Sequence, residues 1–145
     1  MRPALLCLAA AAAALTACTN YPSAPPPAAA LEPLPTGVAL GPRDCFRSRD
    51  IRGHTFAGDR TMFIKVRYRD VYRVDLTSAC LAGAMRSDPI VSREPPGAEY
   101  ICKPIDFDIS IGRSGFPTPP VPCIVDGITR LSPQEVASLP PRLRP

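Results

Sequence analysis

Alternating apolar and polar residues near the middle of the chain predict a β-hairpin. The alternation runs from residue 61 to residue 67 and returns from residue 71 to residue 76. A period of two residues is typical of a strand with one buried face. The intervening Tyr68-Arg69-Asp70 is short enough for a hairpin turn, although it lacks the Gly or Asn that the tightest turns prefer. We expect the outward face to carry charges of opposite sign that support strand pairing: Lys65, Arg67, Arg73 and Asp75.

Shorter apolar runs predict further strands on both sides of this hairpin. They lie at Cys45, residues 51–56, around Ile90, residues 100–102, residues 107–111 and residues 123–131. The segment 77–85 is compatible with a helix whose apolar face would cap the sheet: Leu76, Cys80, Leu81 and Ala84. The predicted fold class is therefore all-β, a small sandwich or barrel-like sheet of about seven short strands with one or two short helices.

The segment Ser132-Pro133-Gln134-Glu135 predicts the start of a short helix. Its spacing matches a capping box, in which the serine oxygen accepts a hydrogen bond from the glutamate amide and the glutamate side chain accepts one from the serine amide. Proline suits the first helical position. The helix should end near Leu139 because two prolines follow, and we expect the tail of residues 140–145 to fray.

The first seventeen residues have the pattern of a secretory signal peptide. Arg2 precedes an apolar run from Ala4 to Leu15, and no acidic residue interrupts it. The run is too short to cross a hydrocarbon core, which needs about 20 helical residues. The following Leu15-Thr16-Ala17-Cys18 resembles the lipobox of bacterial lipoproteins, whose cysteine is acylated on sulfur and becomes the N-terminus after cleavage. Cys18 is thus the predicted lipidation site.

Two further observations concern this leader. An Asp directly after the lipidated Cys of Gram-negative lipoproteins resembles an inner-membrane retention signal, so Thr19 favours the outer membrane, facing the periplasm. The alternatives to lipidation are an ordinary signal peptide cleaved near residues 28–30, or an uncleaved anchor.

Proline and alanine dominate the segment from Thr19 to Pro42, where Glu32 is the single charged residue. Such a composition favours extended polyproline geometry and a spacing role, with a Pro-rich recognition motif as the alternative. We expect no packed structure there. The predicted organisation is a signal peptide at residues 1–17, a lipidated Cys with its tether at 18–42, a small β domain at 43–139 and a tail at 140–145.

Four cysteines belong to the predicted β domain, because Cys7 lies in the leader and Cys18 in the lipobox. An even number in an oxidising compartment predicts two disulfides, which would stabilise a small domain. Four cysteines permit three pairings. We favour Cys80 with Cys102 and Cys45 with Cys123, because Cys45 and Cys123 each begin an end strand. A zinc site fits poorly, since no Cys-x-x-Cys pair occurs and the chain has one His.

Residues suited to catalysis occur without the motifs that would assemble them. His54 lies between Asp50 and Asp59, and Ser48 and Ser114 are available, yet no Gly-x-Ser-x-Gly elbow is present. We predict no catalytic residues, no metal and no cofactor.

The run Asp106-Phe107-Asp108 contains two carboxylates, which strand alternation would place on one exposed face. A retaining glycosidase would need two carboxyls about 5 Å apart across a sugar-sized cleft, and calcium would need a longer acidic loop. Solvent-facing acids are the simpler interpretation.

Basic residues concentrate in two stretches. The formal net charge of +4 falls by one if Arg2 leaves with the leader, which is too small to indicate nucleic-acid binding. A basic face could attract anionic lipid headgroups, whereas solvated arginines are the simpler interpretation. The residues concerned are Arg43, Arg47, Arg49, Arg52, Lys65, Arg67, Arg69 and Arg73.

Several short motifs together resemble a family of small proteobacterial proteins known only as a domain of unknown function. The resemblance covers about residues 43 to 136. It rests on cysteine order and strand spacing, in Cys45-Phe46, Tyr72-x-Val74-x-Leu76-x3-Cys80, Ile101-Cys102 with Asp106, Cys123-x-Val125-x2-Ile128 and Ser132-x2-Glu135. It implies an exported, often lipid-anchored, non-enzymatic domain with four structural cysteines.

The predicted function is that of an envelope-maintenance or binding lipoprotein, tethered to the membrane through Cys18 and presenting its β domain to a protein or glycan partner. Nucleic acid is not an expected partner. The alternative is a periplasmic inhibitor of a lysozyme or protease, although an inhibitor of a cationic lysozyme should be acidic.

Overall fold

Two antiparallel sheets make up the domain. The computed structural model describes residues 34–93, 99–115 and 118–145. Within these residues the strands are β1 (Val38–Ala39), β2 (Ile51–Phe56), β3 (Thr61–Val66), β4 (Asp70–Leu76), β5 (Ile90–Arg93), β6 (Asp108–Ile111), β7 (Val121–Cys123) and β8 (Val125–Leu131). The five-stranded sheet has the order β1-β8-β4-β3-β2 and the three-stranded sheet the order β5-β6-β7. The all-β prediction is confirmed.

Helical structure is limited to short segments in the described residues. One α-helix, α1, covers Pro133–Ser138, and single 3-10 turns cover Ser48–Asp50, Pro104–Asp106 and Pro141–Leu143. None of these is long and apolar enough to cross a membrane.

The main core lies between the two sheets. One face of β3 and β4 packs against β6, because period-two alternation directs their apolar side chains to the same side. Phe46 joins this core from the segment before β2, with its ring centroid 4.7 Å from that of Tyr72 and 5.8 Å from that of Phe107. The cluster includes Met62, Ile64, Val66, Tyr72, Val74, Leu76, Phe107, Ile109 and Ile111.

The predicted hairpin is confirmed, and its register pairs Met62 with Val74 and Ile64 with Tyr72. The residue that permits the turn is Arg67, which adopts a left-handed φ of 53°. The expected cross-strand charge pair does not form: Asp75 lies opposite Thr61, whose Oγ1 donates to it at 2.8 Å. Asp75 instead pairs with Arg73 on the same strand, with Oδ2 2.9 Å from Nε.

The outward face of the hairpin is not solvent-facing throughout, contrary to the prediction. Phe63 is fully buried in a second apolar cluster on that face of the sheet. The cluster also contains Val71 of β4, and it is closed by Leu131 of the last strand and by Leu139 and Leu143 from the segment after it. The five-stranded sheet is therefore apolar on both faces.

The expectation that residues 140–145 fray was wrong. Leu143 is buried in this second cluster, and its carbonyl accepts a hydrogen bond of 2.6 Å from Thr55 Oγ1 of β2. Arg144 donates to the carbonyls of Leu139 and Ala137. The two prolines end the helix as expected, but they direct the chain across the sheet rather than into solvent.

The start of α1 follows the predicted capping box. Ser132 Oγ accepts from the Glu135 amide at 3.2 Å, and Glu135 Oε2 accepts from the Ser132 amide at 2.7 Å. The other oxygen of Glu135 accepts from the Gly37 amide at 3.2 Å, which connects the cap to the chain before β1.

The helix predicted at residues 77–85 does not form. The segment contains i→i+3 turns, from the Ala82 amide to the Ala79 carbonyl and from the Ala84 amide to the Leu81 carbonyl. Two features oppose a helix here: Gly83 has a φ of +71°, and the Leu81 amide donates to Asp59 outside the segment. Cys80 and Leu81 still bury their side chains in the main core.

The favoured disulfide pairing was also wrong. Cys45 bonds Cys102 and Cys80 bonds Cys123, with Cα–Cα distances of 4.5 and 5.7 Å. Cys45 begins no strand of either sheet. Its neighbour Phe46 forms a two-way backbone bridge with Ile101, which brings Cys45 beside Cys102.

The second disulfide follows from the pairing of β4 with β8. Leu76 lies opposite Val125, and the Thr77 amide donates to the Ile124 carbonyl at 3.0 Å. Cys80 and Cys123 flank these paired residues and are thereby brought together. This bridge joins the end of the five-stranded sheet to β7 of the other sheet.

Packed structure begins before residue 43, where the sequence predicts the domain boundary. Val38 and Ala39 of β1 pair with Arg130 and Thr129 of β8. The part of the tether before Leu34, and Cys18 with it, lies outside the described residues.

Candidate functional site

Of the residues considered for a His-Asp-Ser arrangement, Ser48 lines one groove with His54, whereas Asp50 and Ser114 have other partners. His54 Nε2 lies 2.9 Å from the carbonyl oxygen of Asp88, and because a carbonyl can only accept, Nε2 donates. Asp50 instead pairs with Arg67, with 3.1 Å between Oδ2 and Nε. Ser114 Oγ donates to the Ser87 carbonyl. No described carboxylate hydrogen-bonds the imidazole.

Burial governs the protonation of His54. Desolvation lowers the pKa of His54 below its ordinary 6.5, the nearby Arg86 charge lowers it further, and the bond to the Asp88 carbonyl opposes this shift. The ring also contacts Phe56, with 5.0 Å between centroids. His54 is thus a hydrogen-bond donor in a structural contact.

Asp88 is a buried carboxylate that the sequence analysis missed. Its Oδ2 accepts from the Met85 amide at 2.9 Å and its Oδ1 from the Ser114 amide at 2.8 Å. These backbone bonds lower the pKa of Asp88 below its usual 3.8. Arg113 approaches Oδ2 at 3.6 Å. The Ser-Asp-Pro sequence at this position is a turn signal that could have indicated such a role.

Asp106 and Asp108 do not form a pair on one strand face. Asp106 lies in a 3-10 turn, where its Oδ2 accepts from the amides of Cys102 and Lys103 at 3.1 and 2.9 Å. Asp108 begins β6 and is exposed, while Phe107 between them is buried in the main core. Asp106 is therefore a capping residue.

Part of the predicted basic face is neutralised by acidic side chains. Arg47 pairs with Glu99, and Arg67 and Arg73 pair with acids as described above. The remaining members have no ion-pair partner among the described residues: Arg43, Arg49, Arg52, Lys65 and Arg69.

A charged groove lies beside α1. The guanidinium of Arg130 binds two carboxylates there, with Nη1 2.9 Å from Asp44 Oδ1 and Nη2 2.5 Å from Asp70 Oδ1. The carboxylates of Asp70 and Asp44 raise the pKa of Arg130 further above its already high value. The groove has a volume of about 510 Å³, and its other walls are Arg69, Leu131, Pro133 and Val136. Its central charges already satisfy one another.

A second groove separates the edge strands of the two sheets. It has a volume of about 300 Å³ and runs between β2 and β5. Its walls carry Ser48 from the turn before β2, Ile51, Arg52, Gly53 and His54 from β2, and Ile90 and Ser92 from β5. Its exposed cation, Arg52, has no ion-pair partner in the described part of the chain, and the same is true of Arg69 in the groove beside α1. This groove differs in that an edge strand of each sheet borders it. We consider this groove the candidate binding site.

Metal binding finds no support in the described ranges, where no three His, Cys, Asp or Glu side chains lie close enough to share an ion. The four domain cysteines are joined in the two disulfides.

The chain belongs to a family of proteins of unknown function, DUF6491, whose model matches residues 1–144. No curated protein and no solved structure matches it. The family identifies the chain without assigning an activity, so the function has to be argued from its own residues.

Proposed function

We propose that this member of the family is a lipid-anchored envelope protein whose β domain binds a partner outside the cytoplasm. One observation carries the proposal: two disulfides take up the four cysteines of the domain and leave Cys7 and Cys18. Of these two, Cys18 follows the lipobox-like Leu15-Thr16-Ala17 at the end of an apolar leader. Disulfides of this kind persist in oxidising compartments, which agrees with export.

Lipid attachment would be enough to hold the protein at a membrane. Each buried methylene of an acyl chain contributes about 0.8 kcal/mol, and two chains give stable anchoring. We propose the outer membrane, facing the periplasm, because Thr19 rather than an Asp follows Cys18.

Binding rather than catalysis is proposed because the candidate catalytic groups are engaged in structural contacts. His54 donates to a backbone carbonyl, Asp106 caps a turn and Asp88 accepts two backbone amides. A general base needs hydrogen-bond reach to a nucleophile, whereas the Nε2 of His54 is engaged by the Asp88 carbonyl and Ser114 Oγ by the Ser87 carbonyl.

Metabolic labelling with palmitate tests the anchor. The full chain should incorporate label, and Cys18→Ser should abolish it, whereas the matched control Cys7→Ser should keep it. The labelled protein should sediment with outer membranes. Equal labelling of Cys18→Ser and the unchanged chain would refute lipidation at this residue.

Photocrosslinking in cells tests the binding function. A photoreactive amino acid is placed in turn at four exposed positions on different surfaces: Tyr68, Val91, Ile105 and Ile124. We expect a discrete crosslinked product from at least one position, identified by mass spectrometry as an envelope protein or glycan. The absence of a product from all four positions would contradict the proposal.

A further inference from the structure

The edge strand β5 directs unpaired backbone groups into the groove between the sheets. The Gly112 amide donates to the Pro89 carbonyl at 2.9 Å, so the carbonyl of Pro89, just before β5, faces the chain of β6. This contact fixes which residues of β5 direct their backbone groups toward β6. Because backbone groups alternate sides along an antiparallel strand, Val91 directs its N–H and C=O toward β6. Ile90 and Ser92 direct theirs away from β6, and no described residue pairs with them.

The facing strand β2 is a poorer template for pairing. Its register with β3 shifts between Ile51 and Gly53, which marks a β-bulge at Arg52. A bulge bends the edge and redirects a side chain, and such bends discourage regular pairing with another chain. By contrast, β5 pairs with β6 without a register shift. One wall of the groove is therefore a regular edge, and the other presents side chains.

A side-chain contact joins the two walls at one end of the groove. His54 of β2 donates to the carbonyl of Asp88, two residues before β5 begins. The Asp88 carboxylate in turn holds the Met85 and Ser114 amides, so this end is fixed by buried hydrogen bonds. The strand edges are thus held apart in one arrangement, which reduces the entropy lost when a ligand binds between them.

The surroundings of the groove are positively charged. Arg52 lies in its wall, and two other exposed arginines with no ion pair among the described residues, Arg49 and Arg86, are close in sequence to its strands. Arg93 at the end of β5 lies opposite Asp108 in the β5–β6 register. The nearest buried acid, Asp88, already accepts two amides and faces Arg113. Charge complementarity therefore favours an acidic ligand.

We infer that β5 accepts an extended acidic peptide as a fourth strand of the three-stranded sheet, with an acidic side chain of the peptide paired to Arg52. The peptide exchanges backbone hydrogen bonds with Ile90 and Ser92, and alternate side chains enter the groove. This inference rests on the proposed binding function and names the class of partner and the surface it uses.

Panning a displayed library of random twelve-residue peptides on the full-length protein tests this inference. Counter-selection uses Ser92→Pro, because the Ser92 N–H points away from β6 and proline removes it without breaking the β5–β6 ladder. The matched control is Ser92→Ala, which keeps the N–H. We expect enriched peptides to be acidic and free of proline, and their affinity to fall about tenfold for Ser92→Pro but not for Ser92→Ala.

The charge is tested with Arg52→Glu against Arg69→Glu, a matched reversal at an exposed arginine in the other groove. Arg52→Glu should weaken a selected acidic peptide about tenfold, and Arg69→Glu should leave its affinity within about twofold. The bound peptide should also slow hydrogen exchange of the Ile90 and Ser92 amides. Thermal melts of each variant confirm that it is folded.

Three results would overturn the inference: no peptide that distinguishes Ser92→Pro from Ser92→Ala, equal effects of the two charge reversals, or no protection of the two amides. The proposed function would survive them if a partner crosslinks through Tyr68, Ile105 or Ile124 but not through Val91. It would fail separately if no position yields a product.

Discussion

Removing the disulfides pairwise gives the most direct test of the domain's architecture. The bridges close loops with sequence separations of 57 for Cys45–Cys102 and 43 for Cys80–Cys123. In the chain-entropy model, loops of this length stabilise the folded state by about 4 kcal/mol each. A small domain has a total stability of about 5–15 kcal/mol, so each bridge is a large part of it.

We expect the paired replacement Cys45→Ala/Cys102→Ala to lower the free energy of unfolding by about 4 kcal/mol and to leave no free thiol in the domain. Cys80→Ala/Cys123→Ala should have nearly the same effect, since loop entropy changes only logarithmically with length. Urea unfolding gives the energies. Alkylation of the native protein followed by peptide mapping gives the thiols.

Crossed replacements distinguish the pairing in the structure from the one that the sequence favours. Cys80→Ala/Cys102→Ala should leave Cys45 and Cys123 both alkylated, because their partners are gone. If this variant instead shows no free thiol and unfolds like the properly paired double variants, the pairing in the structure is wrong. The crossed variant should lose more free energy of unfolding than either paired variant, since both bridges are lost.

Three smaller perturbations test packing, capping and pH dependence. Leu143→Ala should lower the free energy of unfolding in urea by about 2–4 kcal/mol, because it opens a cavity against Phe63. The control Ile124→Ala, at a side chain that is 70% exposed, should change it by less than about 0.5 kcal/mol. Equal effects of the two changes would contradict the burial of the tail. Ser132→Ala should cost about 1 kcal/mol by removing the α1 cap, and a neutral result would contradict the capping box. The free energy of unfolding should fall as the pH drops below 6.5 toward the lowered pKa of His54 in the folded state, because the unfolded chain takes up a proton that the folded one does not. His54→Gln should flatten the dependence of stability on pH in this range.

Local signals in the sequence were sufficient to predict the hairpin and the final helix. Met62, Ile64 and Val66 alternate with a period that only a strand can bury on one side. Ser132 and Glu135 satisfy each other's backbone within four residues, so no distant contact is needed. Both features depend on residues that are near one another in the chain.

Features that depend on distant residues were not predictable in the same way. Phe63 looks like an outward residue by alternation, yet Leu139 and Leu143 cover it from the other end of the chain. The disulfides follow from the bridge of Phe46 with Ile101 and from the pairing of β4 with β8. Neither contact is indicated by residues that are near one another in the chain. Cysteine spacing alone therefore left three pairings open.

The candidate groove is also a tertiary feature. Arg52 and Ser92 are forty residues apart and belong to different sheets, so nothing in their immediate neighbours indicates that they line one cleft. The sequence grouped Arg52 with other arginines as a basic face. The structure shows which of these arginines have an ion-pair partner, such as Arg67, and which have none among the described residues, such as Arg52.

The two covered faces of the five-stranded sheet favour the proposal that a partner binds at a strand edge. One face packs against the three-stranded sheet, and the other is closed by the residues around Leu139 and Leu143. A partner that approached either face would have to displace part of a buried apolar cluster, at a cost comparable to the stability of the domain. An edge such as β5 offers hydrogen-bonding groups without that cost. The strand addition that we propose at β5 therefore leaves both clusters intact.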